Sequence, residues 1–174
     1  PRIGGQVAVG HKLGAGDRET AAEYARGALR MGAFLGILYG IISVLLNRQL
    51  IAFFQLNSPK VVWDARVYLM IVCGLVVFSF LDQVLGGILA AMGNTVTTFR
   101  VTTIGLLINL VLDPVLIFGV GPIPCMEVAG AAIATVLAQV IVFILYLRAV
   151  WQEPVIFANL HLFVRTKKEY IREM

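Results

Sequence analysis

Four stretches of this chain, residues 31–46, 67–92, 101–120 and 128–150, carry at most one charged residue each. A helix rises about 1.5 Å per residue, so roughly 20 apolar residues cross about 30 Å of hydrocarbon. No soluble domain of 174 residues buries four such stretches, because small domains leave much of their surface in water. The composition agrees. Hydrophobic residues make up 59% of the chain and charged ones 14%, against about 25% charged in ordinary soluble domains. The chain is therefore read as an all-α, polytopic transmembrane bundle of about four full spans plus part of a fifth. The first of these spans has room to continue past Asn47, Arg48 and Gln49 as far as Phe54.

The opening run 3–13 is about half a span and begins without flanking loop residues. Together with Pro1 in first place, this reads as a helix cut at its start, with a further region upstream. No basic start, short apolar run and small-residue cleavage site marks a signal peptide. Cys73 falls in an apolar helix and Cys125 in a loop, which argues against a disulfide or a metal pair.

Turn residues separate the spans. Gly14-Ala15-Gly16-Asp17 ends the opening helix, and Asp17 is placed to cap the next one. That segment, RETAAEYARGALR, is charged enough to predict a separate helix in water or at the interface. Asn57-Ser58-Pro59, Gly93-Asn94-Thr95 and the run 119–124 mark the remaining turns. Alternate connections face opposite sides of the membrane. One side collects ten basic residues: Lys12, Arg18, Arg26, Arg30, Arg100, Arg148, Arg165, Lys167, Lys168 and Arg172. The other holds three, Arg48, Lys60 and Arg66, while Arg2 lies in the cut helix. Basic loops stay cytoplasmic, which places 14–30 and the tail from Trp151 inside. The net charge of +4 is then a consequence of topology and calls for no nucleic-acid partner.

Two carboxylates lie within spans, Asp82 in the second and Asp113 in the third. An ionised group at that depth costs about 2.5–3.5 kcal/mol or more, so both should face the bundle interior, a watery cavity or a partner. Asn109 lies four residues before Asp113, on the same helical face. Pro114 comes next and removes a backbone donor, freeing the carbonyl of Leu110. A carboxylate, an amide oxygen and a loosened carbonyl suit a proton or a hard cation such as Na⁺. In the fourth span Thr135 and Gln139 are polar at membrane depth and four apart, placed to face the same cavity as Asp113. The small residues of GAAIAT and the pair Gly86-Gly87 read first as close helix packing, the glycine pair also as a flexible point. Gly14-Ala15-Gly16-Asp17 matches the G-x-G-D pattern of intramembrane aspartyl proteases, but no membrane aspartate precedes it to complete the pair. No Ser/His/Asp set, H-E-x-x-H or phosphate loop is present, and His11 and His161 read as solvated loop residues. An enzyme is not indicated.

The run LINLVLDPVLIFGVGPIPCMEVAGAAIATVLAQ resembles the multidrug and toxic-compound extrusion (MATE) family pattern L-N-x-x-L-D-P-x-x-I-F-G followed by G-A-A-x-A-T-x-x-A-Q. LGAGDRETA and AAMGNTVT are similar to family patterns in the same order. The resemblance implies that residues 1–150 are part of the N-terminal lobe of a 12-helix, two-lobe transporter, from a truncated second helix to the sixth. Residues 151–174 would then start the cytoplasmic linker, with the C-terminal lobe and the family's first helix, which carries an aspartate in many members, lying elsewhere in the same chain. It further implies an integral protein of a bacterial inner membrane that exports amphipathic, often cationic compounds by alternating access. Entry of H⁺ or Na⁺ would drive it, with no other cofactor. Asp113 and Asn109 match the coupling positions, with Thr135 a weaker third member. Asp82 matches none and is kept as an ion-coupling candidate on physical grounds, and Gln139 is a candidate for the substrate cavity. Glu127 stands where the family commonly has glycine. A lipid-linked oligosaccharide flippase is the alternative, though it calls for basic residues in the cavity.

Overall fold

The computed structural model describes residues 2–55, 58–119 and 124–152. Among the described residues seven helices succeed one another: α1 (Arg2–Gly14), α2 (Arg18–Leu45), α3 (Asn47–Phe53), α4 (Pro59–Gly74), α5 (Val77–Ala91), α6 (Thr95–Phe118) and α7 (Glu127–Trp151). Among the described residues α2, α6 and α7 are each long and apolar enough to cross a membrane, and the bent pair α4 and α5 is so when taken together. The protein is thus an integral, multi-pass membrane bundle. The tail 153–174, with His161 and most of the linker expected from 151 onward, lies outside the described residues, as does much of the turn 119–124.

The expected caps form. Asp17 Oδ1 accepts from the Thr20 amide at 3.1 Å, and Asn94 Oδ1 from the Thr97 amide at 3.2 Å. Gly16 and Gly93 precede these caps with φ of +78° and +82°, conformations that a side chain strains. His11 sits exposed on the last turn of α1 rather than in a loop.

Three segments differ from the sequence reading. The charged stretch after Asp17 is no separate interfacial helix, because α2 runs unbroken from Arg18 through the first span to Leu45. Its charges obscured a face of small residues. Ala21, Ala22, Ala25 and Ala28 are buried with Tyr24 against Val9 of α1 and Val84 and Ile88 of α5. Even Arg26 is only 8% exposed, its Nε donating to the Ala22 carbonyl at 3.4 Å. The span expected over 67–92 is also broken, with α4 and α5 meeting at 44°. At the joint the hydrogen bonds tighten to three-residue steps, Val76 N to Cys73 O and Phe78 N to Leu75 O. The break falls at Gly74–Val76 and not at Gly86-Gly87. The continuation toward Phe54 is likewise the short α3, which begins after a step at Leu46, where the Asn47 side chain donates to the Val44 carbonyl at 2.8 Å.

A glycine row on α2 fixes how the bundle closes. Gly32, Gly36 and Gly40 are buried at four-residue spacing. A Cβ on Gly36 would lie 2.9 Å from Val77 Cα, and one on Gly40 would lie 2.7 Å from the Cys73 carbonyl oxygen. In lipid, where apolar side chains gain little by leaving the solvent, such close backbone approach is a main source of helix association. Gly105 of α6 serves the same purpose against Val142 of α7, as does Gly130 against the backbone at Leu116.

Candidate functional site

The packing of α5, α6 and α7 leaves a cavity of about 390 Å³. On its wall α5 places Asp82 and α6 places Asn109, while Thr135 and Gln139 come from α7. Four of the five residues selected from the sequence therefore converge from three helices. No lysine or arginine is among the lining residues.

Inside spans, acceptor oxygens without hydrogen-bond partners are costly, because no water stands by to replace them. This site keeps several. Asp82 Oδ1, Asn109 Oδ1 and Gln139 Oε1 are all buried and without a donor among the described residues. The Thr135 hydroxyl donates back to the Ala131 carbonyl at 2.9 Å, which leaves its lone pairs free for a ligand. A wall rich in unpaired acceptors and free of fixed cations suits a ligand that brings positive charge or N–H donors.

Asp113 does not line this cavity. It lies one turn beyond Asn109 on α6, half-buried, with its Oδ1 also enclosed and unpartnered. The helix passes through Pro114 without interruption to Phe118. Thus Asn109 opens on the shared cavity, while its sequence companion occupies a separate position toward the Phe118 end.

Tyr146 of α7 also lines the cavity, and the sequence reading missed it. Tyr146 is buried, and its hydroxyl lies 3.1 Å from Thr102 Oγ1 and 3.5 Å from the Thr98 carbonyl. The ring fits because Gly86 has no side chain, as a Cβ there would stand 3.0 Å from the Tyr146 hydroxyl. Gly86 was legible as a packing glycine, but its partner was not, since Tyr146 lies 60 positions away. The row Gly32, Gly36 and Gly40 was also missed, although its spacing is visible in the sequence.

The start of α7 explains the unusual Glu127. Its φ is +47°, in the left-handed region that favours glycine, the residue that commonly stands there in sequences of the resembled pattern. Its carboxylate pairs with Lys60 at the start of α4 at 2.9 Å, and both side chains are mostly in solvent. Cys125 Sγ donates to the Ile117 carbonyl, and Cys73 is likewise free of any disulfide.

Comparison with known proteins agrees with this architecture. The family model described as MatE matches residues 2–115. A probable multidrug resistance protein NorM of Thermotoga maritima is 30% identical over 138 residues, covering 79% of this chain and 29% of the relative. An FAD transporter of Shewanella oneidensis is 45% identical over 53 residues, 30% of this chain and 12% of its own. Among solved structures, an inward-facing multidrug resistance MATE family transporter of the MOP superfamily superposes with a TM-score of 0.88. It shares 23% identity over 99% of this chain and 38% of its own. An outward-facing one gives 0.84 over 99% of this chain and 37% of its own. The chain spans well under half the length of these proteins.

Proposed function

Since the chain belongs to the MatE family, we propose that it supplies most of the N-terminal lobe of a cation-coupled efflux transporter. Its substrates are amphipathic, often cationic compounds, exported by alternating access in exchange for H⁺ or Na⁺. The single observation that carries this reading is the cavity between α5, α6 and α7, where Asp82, Asn109 and Gln139 present unpaired acceptors with no basic residue beside them. Amphipathic cations satisfy such a wall, and anionic glycolipids do not, which weighs against the flippase alternative.

The coupling role is assigned to Asp113 and Asn109. Asp113 exchanges a proton or Na⁺ at an enclosed carboxylate one turn from the cavity. Asn109, on the cavity wall, carries that change to the substrate side, with Thr135 as a third oxygen. Asp82 offers a second carboxylate directly to the substrate, and Gln139 orients it. The C-terminal lobe of the same protein forms the facing wall.

The test is ethidium efflux by the full-length protein in energised vesicles. Asp113→Asn abolishes ion-driven export while the protein still inserts and stays monodisperse. Asp82→Asn instead raises the substrate concentration needed for half-maximal export. Normal export by Asp113→Asn sinks the coupling assignment.

A further inference from the structure

Arg48 of α3 and Arg66 of α4 are two of the three basic residues on the side opposite the cytoplasmic loops. With Ile51, Ala52, Gln55 and Val62 they line a recess of about 450 Å³ that no carboxylate enters. Arg66 is held in place, its Nε donating to Asn47 Oδ1 at 3.4 Å, whereas Arg48 is exposed. Glu127 pairs with Lys60 instead, and Asp64, two positions before Arg66, is not among the residues that line the recess. The recess is therefore an uncompensated positive site.

Beyond Ile51, a common wall, lies a second recess of about 390 Å³. Phe54, Ala65, Leu69 and Val72 line it, and its polar side-chain atoms belong only to Tyr68 and Cys73. Along α4 the apolar recess runs from the level of Arg66 to Cys73, about 10 Å deeper at the helical rise. Exposed Phe53, at 83%, and Trp63, at 63%, mark the same end of the bundle as interfacial.

Charge at headgroup depth and an apolar trough descending from it together describe one kind of ligand. We propose that Arg48 and Arg66 bind the phosphate of an anionic phospholipid of the outer leaflet, with one acyl chain in the trough between α3, α4 and Val128. A free phosphate would use the arginines but leave the trough empty. A zwitterionic lipid would use the trough, yet its ammonium would oppose the paired guanidiniums. Bound there, the lipid braces α3 and α4 beside the joint at which α4 meets α5.

Native mass spectrometry of the full-length transporter, delipidated and titrated with phosphatidylglycerol or phosphatidylethanolamine, tests this. Wild type retains phosphatidylglycerol preferentially. At a factor of about five per basic residue near an anionic headgroup, Arg48→Ala weakens retention about fivefold and the double variant with Arg66→Ala roughly thirtyfold. Arg66→Lys keeps most of the binding and controls for the fold, since it preserves the charge beside Asn47. Equal retention of the two lipids overturns the proposal, and so does an undiminished preference in Arg48→Ala. Displacement of the lipid by equimolar inorganic phosphate overturns it in favour of a free-anion site. Protection of Arg48 from an arginine-modifying dicarbonyl in lipid-free detergent overturns it in favour of a segment of the longer protein.

Discussion

The α2–α5 seam can be tested with one methyl group. In Gly36→Ala the new Cβ would stand 2.9 Å from Val77 Cα and 3.2 Å from Phe80 Cβ. Carbon atoms in van der Waals contact sit about 3.5–4.0 Å apart, so the two helices must separate by about 0.6–1.1 Å. Neither neighbour can swing away, because one is a backbone atom and the other the first atom of its side chain. Overpacking of this kind costs about 1–3 kcal/mol. Against it stands the helix-propensity gain of alanine over glycine, about 0.5–1 kcal/mol. The packing penalty wins, and the variant is destabilised by up to about 2.5 kcal/mol. Gly14→Ala is the matched control, since a Cβ there meets nothing within 4 Å. That change keeps the propensity gain with no clash. The assay is the temperature at which half the full-length protein leaves its monodisperse peak in detergent. Gly36→Ala should fall below wild type, and Gly14→Ala should match or exceed it. If Gly36→Ala melts at the wild-type temperature, or both variants fall alike, the glycine row does not set the approach of α2 to α5.

Tyr146→Phe removes the hydroxyl that meets Thr102 and the Thr98 carbonyl, and should cost about 0.5–1.5 kcal/mol in the same melting assay, with a change in efflux half-saturation. Glu127→Gly relieves a left-handed backbone worth about 1 kcal/mol and gives up only an exposed pair with Lys60, so it should raise the melting temperature in 0.15 M salt. The Thr20 side chain, and after it the Thr20 amide, hold the Asp17 carboxyl below the ordinary carboxylate range by hydrogen bonding. Its capping contribution is therefore complete at neutral pH and lost only as pH falls through that lowered value. Amide hydrogen exchange in the first turn of α2 should be flat from pH 8 to 5 after correction for intrinsic rates, and Asp17→Ala should accelerate it throughout.

The sequence alone determined the solvent and the residue types that line the cavity. Transfer between water and lipid is a property of each side chain, so the spans and the unequal share of basic residues between alternate loops are written locally. The caps at Asp17 and Asn94 are equally local, since each oxygen reaches an amide three residues on. Periodicity also placed Thr135 and Gln139 on one face of α7. Only the tertiary structure decided that Asp82 joins Asn109 there, while Asp113, the stronger sequence candidate, stands one turn away. Rotation and crossing of helices set those neighbours, and they depend on where Gly36, Gly40, Gly105 and Gly130 let backbones touch. Such contacts pair residues far apart in the chain, and no pattern along a single helix encodes them. The same reason hid the buried face of α2 behind its charges and the break between α4 and α5 within one apolar run. Asp82 became a wall of the cavity through contacts that its own helix does not contain.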